Sequence, residues 1–264
     1  MTALRLGAVS YLNTKPLVYG LEDSPDQFEV RFDVPSKCAA LLHAGQVDLG
    51  LIPAIEYLHA DYRIVPEVSI ASDGEVATVA IFTRKPIAQV KAIALDVSSK
   101  TSVALTRVLC AKHWRITPTF TPAEPDLDTM LHRSDAALVI GDPAFEIDPA
   151  ARGVDKIDLG AEWKAMTGLP FVYAMWVGRP GTATAEQCRA LQAARDRGVA
   201  HLPDIARAVG GGNAALERRS LVYLRDHLRY GLGAAEADGL RLFHALAAEI
   251  GAAAAPRALT FYPD

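Results

Sequence analysis

Strand-like and helix-like segments alternate through the first 60 residues, and this alternation limits the folds that the chain can adopt. Apolar residues concentrate at 4–9, 28–33 and 47–52, which predicts three buried strands. The intervening segments 16–19 and 35–44 have the character of helices. This βαβα order predicts an α/β domain built on a largely parallel sheet.

A second unit of the same kind follows along the chain. Extended segments are predicted at 64–70 and 77–82, and the polar residues 83–86 then interrupt the pattern. A new strand at 93–97 leads into a helix predicted at 101–112. The sequence therefore predicts two α/β lobes rather than one continuous sheet.

The apolar segment 171–177 predicts a long strand that returns to the first lobe. We therefore expect a discontinuous first lobe, residues 1–83 and 176–264, and an inserted second lobe, residues 84–175. Beyond residue 184, periodic segments rich in Ala and Arg predict helices. A ligand of such a molecule would lie between the two lobes.

The charge pattern argues against a nucleic-acid partner. Lys and Arg number 27, Asp and Glu number 31, and neither sign forms a long block, so a basic binding surface is not expected. The net charge of −4 still permits a small anionic ligand, because local donors and helix ends govern the binding of small anions.

Cysteine usage and hydropathy indicate the compartment. Cys38, Cys110 and Cys188 are odd in number and widely spaced, which fits reduced thiols better than a disulfide framework or a zinc site. The first strand begins close to Met1, which leaves no room for a signal peptide, and no apolar run reaches the length of a membrane span. We expect a cytoplasmic protein without a membrane partner; the oligomeric state stays open.

The end of the first predicted strand carries a polar turn. Ser10, Asn13 and Lys15 follow the strand directly, at the edge of the sheet where ligands of open α/β folds bind. Ser and Asn also bond to local backbone in ordinary turns, and a lysine is by default solvated. The segment is thus a candidate site, with a plain strand-to-helix connection as the alternative.

Hydroxyl groups gather at the start of the helix predicted at 101–112. Ser98, Ser99, Thr101 and Ser102 surround Lys100 there. The first turn of a helix offers unpaired N–H groups and a positive dipole end, so the cluster predicts a carboxylate site. A single N-cap serine is the alternative, but it would use only one of the four hydroxyls.

Two further strand ends are expected at the cleft. Gly141 and Asp142 follow a second-lobe strand, where the glycine allows close backbone approach and the aspartate either orients a substrate hydroxyl, acts as an acid or forms a turn. Pro53 ends a first-lobe strand and predicts apolar contact with a ring. Ser36 either caps the helix predicted at 35–44 or faces the cleft.

The familiar catalytic patterns are missing from the sequence. The phosphate-binding, zinc-protease, nucleophile-elbow and dinucleotide motifs do not occur, and the seven histidines show no metal-ligand spacing. We therefore expect neither a metal nor a flavin or nicotinamide cofactor. The three tryptophans receive no role, since aromatic residues more often pack in cores.

The opening motif Ser-Tyr-Leu-Asn-x-x-Pro-Leu resembles that of chorismate dehydratases of the futalosine route to menaquinone. Similar matches follow in the same order over roughly the first two thirds of the chain. They are Asp48–Pro53, Ser98–Ser102, Ile140–Ala144 and Thr167–Ala174.

The resemblance implies a type II periplasmic-binding-protein-like α/β fold with the cleft between two lobes. It also implies a cofactor-free lyase that removes water from chorismate and yields 3-[(1-carboxyvinyl)oxy]benzoate. Because the product is aromatic, such an enzyme mainly has to orient one proton and one leaving hydroxyl. That task needs donors more than a strong base.

We expect Asn13 to hold the reacting region, with support from Ser10, while the second-lobe hydroxyl cluster fixes a carboxylate. None of the matched motifs contains a histidine, and this leads to the hypothesis that the substrate's own side-chain carboxylate accepts the proton.

Three other functions compete with this reading. A non-catalytic receptor for a small carboxylate has the same fold, and so does the ligand-sensing module of a regulator. The sister enzyme 1,4-dihydroxy-6-naphthoate synthase is similar, but its opening motif resembles Ser-Pro-Cys-Pro-Asn-Asp, whereas this chain reads Ser-Tyr-Leu-Asn-Thr-Lys. The dehydratase therefore fits the sequence better.

Overall fold

The computed structural model describes residues 3–263, and its regular elements alternate as the sequence predicts. In chain order, the strands are β1 (Leu4–Val9), β2 (Phe28–Asp33), β3 (Leu49–Pro53), β4 (Arg63–Ser72), β5 (Val79–Thr83), β6 (Ala92–Asp96), β7 (Thr119–Ala123), β8 (Ala136–Ile140), β9 (Asp155–Asp158) and β10 (Phe171–Gly178). The α-helices are α1 (Pro35–His43), α2 (Lys100–Leu109), α3 (Leu127–Arg133), α4 (Gly141–Glu146), α5 (Pro149–Arg152), α6 (Leu159–Thr167), α7 (Ala185–Ala200), α8 (Leu202–Gly210), α9 (Ala214–Val222) and α10 (Ala234–Glu249).

The strands form two five-stranded sheets with the same internal plan. The first sheet has the order β2-β1-β3-β10-β4 and the second the order β7-β6-β8-β5-β9. In the first, β1 is parallel to β2 and β3, and β10 is antiparallel to β3 and β4. In the second, β6 is parallel to β7 and β8, and β5 is antiparallel to β8 and β9. Each lobe thus adds one antiparallel strand to a parallel core.

The chain crosses between the sheets twice, as the two-lobe prediction requires. It leaves the first sheet at Ser72 and enters the second at Val79, and it returns between Asp158 and Phe171. The division predicted from the sequence placed residues 79–83 in the first lobe and residues 171–175 in the second. The hydrogen-bonded pairing assigns β5 to the second sheet and the whole of β10 to the first.

Short 3₁₀ helices and π-helical turns accompany the α-helices. Residues Leu12–Val18 form a 3₁₀ helix with Pro16 inside it, since proline lacks the N–H that an α-helix would use there. A second 3₁₀ helix, Ala54–His59, follows β3. A single π-helical turn extends α2 to Trp114, and another, Tyr223–His227, follows α9. Of these four segments, Leu12–Val18 contributes a residue, Asn13, to the cleft described below.

The carboxy-terminal helices pack onto the first lobe through two close contacts. Gly198 of α7 lies against the Pro16 backbone, where an added Cβ would come within 2.0 Å of the carbonyl oxygen. Gly239 of α10 approaches the Pro170 carbonyl in the same way, at 2.1 Å. Only glycine permits such contact. Among residues 3–263, no helix combines the length and the apolar character needed to cross a bilayer.

Candidate active site

A cleft lies between the two sheets, where strand ends from both lobes meet. Its free volume is about 40 Å³, so the two walls lie close together in this structure. The cleft is lined by Val9, Tyr11, Asn13, Pro35, Pro53, Ile70, Val76, Thr78, Val79, Ser99, Ser102, Ile140, Gly141, Tyr173 and Ala174.

The lining follows from the topology. The parallel strands β1, β3 and β8 all end at this edge, and their last residues Val9, Pro53 and Ile140 line the cleft. Ligands of open α/β sheets bind beyond the carboxyl ends of the strands. The structure therefore places Pro53 at the cleft, where contact with a ring was predicted.

Asn13 lies in the 3₁₀ helix that follows β1, and its half-buried side chain lines the cleft. The Thr14 hydroxyl donates to the Asn13 Oδ1 atom at 3.4 Å. Ser10 is placed differently. Its side chain is exposed and lines a separate surface groove beside Lys15, so the structure does not bring Ser10 and Asn13 to the same cavity.

Thr78 and Tyr223 form a buried polar pair next to Asn13 that the sequence analysis did not single out. Their hydroxyl oxygens are 2.8 Å apart, and Thr78 lines the cleft. Burial raises the pKa of Tyr223, while hydrogen bonds with Thr78 and Asn13 lower it in part. The phenol therefore stays protonated and is available as a donor. The only sequence signal for Thr78 is a hydroxyl within an apolar extended segment.

The start of α2 brings two of the four predicted hydroxyls to the cleft. Ser99 is the N-cap, and its Oγ accepts hydrogen bonds from the backbone N–H and the hydroxyl of Ser102, at 3.4 and 3.2 Å. Both side chains are buried and line the cleft. The capping role and the site role thus coincide in Ser99.

The other two hydroxyls of the cluster have protein partners. Tyr11 donates from its hydroxyl to Ser98 Oγ at 3.4 Å, and the backbone N–H of Ile55 donates to Thr101 Oγ1 at 3.1 Å. Thr101 is fully buried and is not among the residues that line the cleft. It joins the second lobe to the 3₁₀ helix of the first.

Asp96 fixes the ends of two neighbouring strands beneath the cluster. Its buried carboxylate accepts from the backbone N–H of Ser98 at 2.9 Å and from that of Ile140 at 3.3 Å. Burial raises the pKa of Asp96, whereas the hydrogen bonds from Ser98 and Ile140 lower it in part. In the sequence, Asp96 is recognisable only as part of the strand predicted at 93–97.

Gly141 lines the cleft, and Asp142 closes against the first lobe. Gly141 has φ +67°, and a Cβ there would lie 2.5 Å from the Tyr11 ring. The Asp142 carboxylate accepts from the Leu12 backbone N–H at 3.0 Å. Burial is the largest influence on Asp142 and raises its pKa; the Leu12 N–H and the nearby Lys15 oppose the rise.

Further contacts hold the lobes together around the cleft. The Ser36 backbone N–H donates to the Ser98 carbonyl at 2.9 Å, so this residue contacts the other lobe through its backbone; no side-chain cap is formed at the start of α1. The Lys100 ammonium of the second lobe lies 3.1 Å from the buried Glu56 carboxylate of the first. The structure is therefore a closed arrangement of the two lobes.

The chemistry of the lining is that of neutral donors. In the part of the chain that the structure describes, the side chains lining the cleft include no His, Asp, Glu, Lys or Arg. An amide, several hydroxyls and the amino end of α2 remain, and these groups stabilise developing negative charge. Within residues 3–263, no three side chains of His, Cys, Asp or Glu are placed to hold a metal ion.

Comparisons with protein families and with known sequences point to the same family. A family model described as menaquinone biosynthesis matches residues 4–249. The chorismate dehydratase of Thermus thermophilus is 33% identical over 261 residues, which cover 89% of this chain and 95% of that protein. The chorismate dehydratase of Campylobacter jejuni is 29% identical over 177 residues, 64% of each chain.

Solved structures confirm the predicted fold class. A protein of Archaeoglobus fulgidus superimposes with a TM-score of 0.75 at 17% identity, covering 95% of this chain and 98% of that one. The alkanesulfonate-binding protein of Xanthomonas axonopodis pv. citri gives 0.66 at 16% identity, covering 95% and 93%. A Candida albicans protein described as having the generic periplasmic-binding-protein fold gives 0.63 at 9% identity, covering 100% and 99%. Identities this low establish the fold alone.

Proposed function

This chain belongs to the menaquinone biosynthesis family, and we propose that it is a hydro-lyase that converts chorismate into 3-[(1-carboxyvinyl)oxy]benzoate and water on the futalosine route. The names of its two relatives support the choice of substrate. The observation that carries the proposal is the cleft, which both lobes line with neutral donors. The described side chains that line it include no carboxylate, imidazole or amine.

The reaction balances without any external reagent. The ring proton beside the enolpyruvyl ether leaves, its C–H electron pair becomes part of the ring, and the bond to the neighbouring hydroxyl breaks. The proton and the hydroxide together make one water. Since the ring becomes aromatic, the protein has to align the two leaving groups and stabilise charge rather than supply a strong base.

In this proposal Asn13, with the Thr78–Tyr223 pair behind it, holds the reacting part of the ring. Ser99 and Ser102, at the amino end of α2, bind a carboxylate through their hydroxyls. Thr101 and Ser98 support this turn through their protein partners.

We assign the role of proton acceptor to the enolpyruvyl carboxylate of the substrate itself. The support is the absence of a carboxylate, imidazole or amine among the described side chains that line the cleft. A chorismate analogue with that carboxylate amidated tests this assignment, because it should bind but not react. Normal turnover of the amide would require a base from the protein.

The cytoplasm is the compartment that we propose. Cys38, Cys110 and Cys188 are all free and buried, as is common for proteins of a reducing compartment. Burial raises the pKa of the Cys38 and Cys110 thiols to about 12, so these residues are packing groups rather than nucleophiles.

The decisive experiment incubates purified, chelator-treated protein with chorismate and follows the products by liquid chromatography and mass spectrometry. An enzyme-dependent product lighter by one water, with the spectrum of the substituted benzoate, is expected. Binding without conversion would favour a receptor. Neither binding nor conversion would direct the assay to the sister reaction.

A further inference from the structure

One residue in the crossing between the lobes has a strained backbone. Ala77 has φ +67°, and it is one of three non-glycine residues with positive φ in the described chain, with Glu67 and Arg115. L-residues with a Cβ disfavour this left-handed region, which glycine adopts freely. Such conformations persist where the surroundings fix them, and they cluster at functional sites.

Two side chains of β9 hold the Ala77 backbone from both sides. The Ala77 N–H donates to the Asp158 Oδ2 atom at 2.7 Å, and the Lys156 ammonium donates to the Ala77 carbonyl at 2.6 Å. The preceding N–H, that of Val76, donates to Asp158 Oδ1 at 3.0 Å. Three polar contacts therefore define the conformation at this position.

Asp158 also anchors the crossing segment to α6. Its Oδ1 atom caps the helix by accepting from the N–H groups of Gly160 and Ala161, at 3.0 and 3.1 Å. Gly160 itself lies so close to the crossing that an added Cβ would be 2.4 Å from the Gly74 carbonyl oxygen. We call the contacts of Asp158 and Lys156 with the Ala77 backbone the clamp. Through Asp158, the clamp is joined to the amino end of α6 in the second lobe.

The neighbours of Ala77 are the residues that this clamp positions. Val76 and Thr78 both line the cleft, on either side of the left-handed residue. The Thr78 hydroxyl meets that of Tyr223 at 2.8 Å, and the Thr78 carbonyl accepts from the Gly141 N–H at 2.8 Å. A change of φ at Ala77 would rotate the Thr78 backbone and move its hydroxyl away from the Asn13 side of the cleft.

We propose that Asp158 and Lys156 are positioning residues, which hold Ala77 in the left-handed conformation so that the Thr78 hydroxyl faces the reacting part of the substrate. This inference rests on the proposed dehydratase function for its catalytic consequence. Neither side chain lines the cleft.

The variant Asp158→Asn separates the clamp from the helix cap. Three N–H groups converge on Oδ1 and one on Oδ2, so the asparagine oxygen is best placed at Oδ1, where it still caps α6. Its amide nitrogen then faces the Ala77 N–H, donor against donor. We expect kcat to fall by about 10- to 100-fold, the scale of a displaced reacting group, with a smaller change in KM.

The variant Ala77→Gly supplies the rescue. Glycine adopts positive φ without the clamp, so Ala77→Gly alone should keep kcat within about twofold of wild type. The double variant Asp158→Asn with Ala77→Gly should recover at least about tenfold of the lost kcat. A role in helix capping alone would leave the double variant as inactive as Asp158→Asn. That result, or a normal kcat for Asp158→Asn, would overturn the proposal.

A second measurement does not depend on turnover. In protein labelled with ¹³C-alanine, the Ala77 signal is identified by its loss in Ala77→Gly, and it should leave its left-handed position in Asp158→Asn. The Lys156→Met variant serves the same purpose if Asp158→Asn does not fold. A signal that does not move in Asp158→Asn refutes the clamp. If the signal moves in the variant but the wild-type protein does not convert chorismate, only the proposed function is refuted.

Discussion

The Asp142 carboxylate of the second lobe accepts a hydrogen bond from the Leu12 backbone N–H of the first lobe at 3.0 Å. Next to it, the Tyr11 ring packs on Gly141. The two motifs that the sequence marked as separate strand ends are therefore in direct contact across the cleft. The contact joins the two lobes beside the residues that line the cleft, so it supports the closed arrangement seen here.

Replacing Asp142 by Ala should weaken closure. The variant leaves the Leu12 N–H without its partner, a loss of about 1 to 1.5 kcal/mol, so KM should rise by roughly tenfold. Asp142→Asn keeps an acceptor at the same place and should stay near the wild-type KM. Steady-state kinetics with chorismate distinguish the variants. A large fall in kcat for Asp142→Asn would instead mean that Asp142 acts as an acid.

Asn13 should be essential for turnover. Asn13→Ala removes an amide that lines the cleft beside Thr78 and Tyr223, and kcat should fall by more than about 100-fold, the scale of one lost donor. The melting temperature should change little, since the side chain is half-buried. Ser10→Ala is the matched control from the same segment. Its side chain is exposed and outside the cleft, so kcat should stay within about twofold.

Gly141 should tolerate no side chain. Gly141→Ala combines a strained φ of +67° with a Cβ at 2.5 Å from the Tyr11 ring, which must then move out of the cleft wall. We expect loss of most activity. Gly168→Ala is the control, since Gly168 has φ +73° and no atom within 4 Å of the added Cβ. It should lose stability by about 1 kcal/mol, as expected for left-handed strain alone, and retain kcat.

The sequence predicted the features that depend on local pattern. Apolar periodicity located β1, β3 and β8, and the rule that ligands sit at strand ends then led to Asn13, Pro53 and Gly141. The family motifs pointed to the same strand ends. These positions share one property: each lies where its own strand ends.

Features set by distant pairing were beyond reach of the sequence. Thr78 is recognisable as a site residue only when Tyr223, 145 positions away, is placed against it. In the same way, Thr101 looks like a ligand group until the Ile55 N–H is found on its hydroxyl. The direction of a turn side chain such as Ser10 depends on how neighbouring elements pack around it. Local sequence does not determine that packing.

Thr101 should support stability rather than bind substrate. Thr101→Val leaves the buried Ile55 N–H unpaired, at a cost of about 1 to 3 kcal/mol, while Thr101→Ser keeps the acceptor. Thermal unfolding should therefore separate the two variants. Ser102→Ala provides the contrast within the same helical turn, because its hydroxyl lines the cleft. Ser102→Ala should raise KM and leave the melting temperature close to that of wild type. A raised KM with unchanged stability in Thr101→Val would return Thr101 to the substrate site.

His244 should make the stability of the protein depend on pH. It is buried in α10, its Nε2 donates to the Ala54 carbonyl at 3.1 Å, and its Nδ1 finds no hydrogen-bond partner among residues 3–263. Burial lowers the pKa of His244 from 6.5 to about 4, and the hydrogen bond to Ala54 opposes this only in part. The folded state therefore takes up this proton less readily than the unfolded chain.

The sign of the effect follows from that difference. The contribution of neutral His244 to stability is complete above pH 6.5 and is lost progressively as the pH falls toward 4. The total loss in the free energy of unfolding is about 3 kcal/mol. His244→Gln keeps a donor for Ala54 and does not titrate. Denaturant unfolding of both proteins at pH 7.5 and pH 4.5 should show wild type losing more stability than the variant. Because the buried aspartates titrate in both proteins, their contributions cancel in this difference, and equal losses would mean that His244 is already accessible to protons in the folded state.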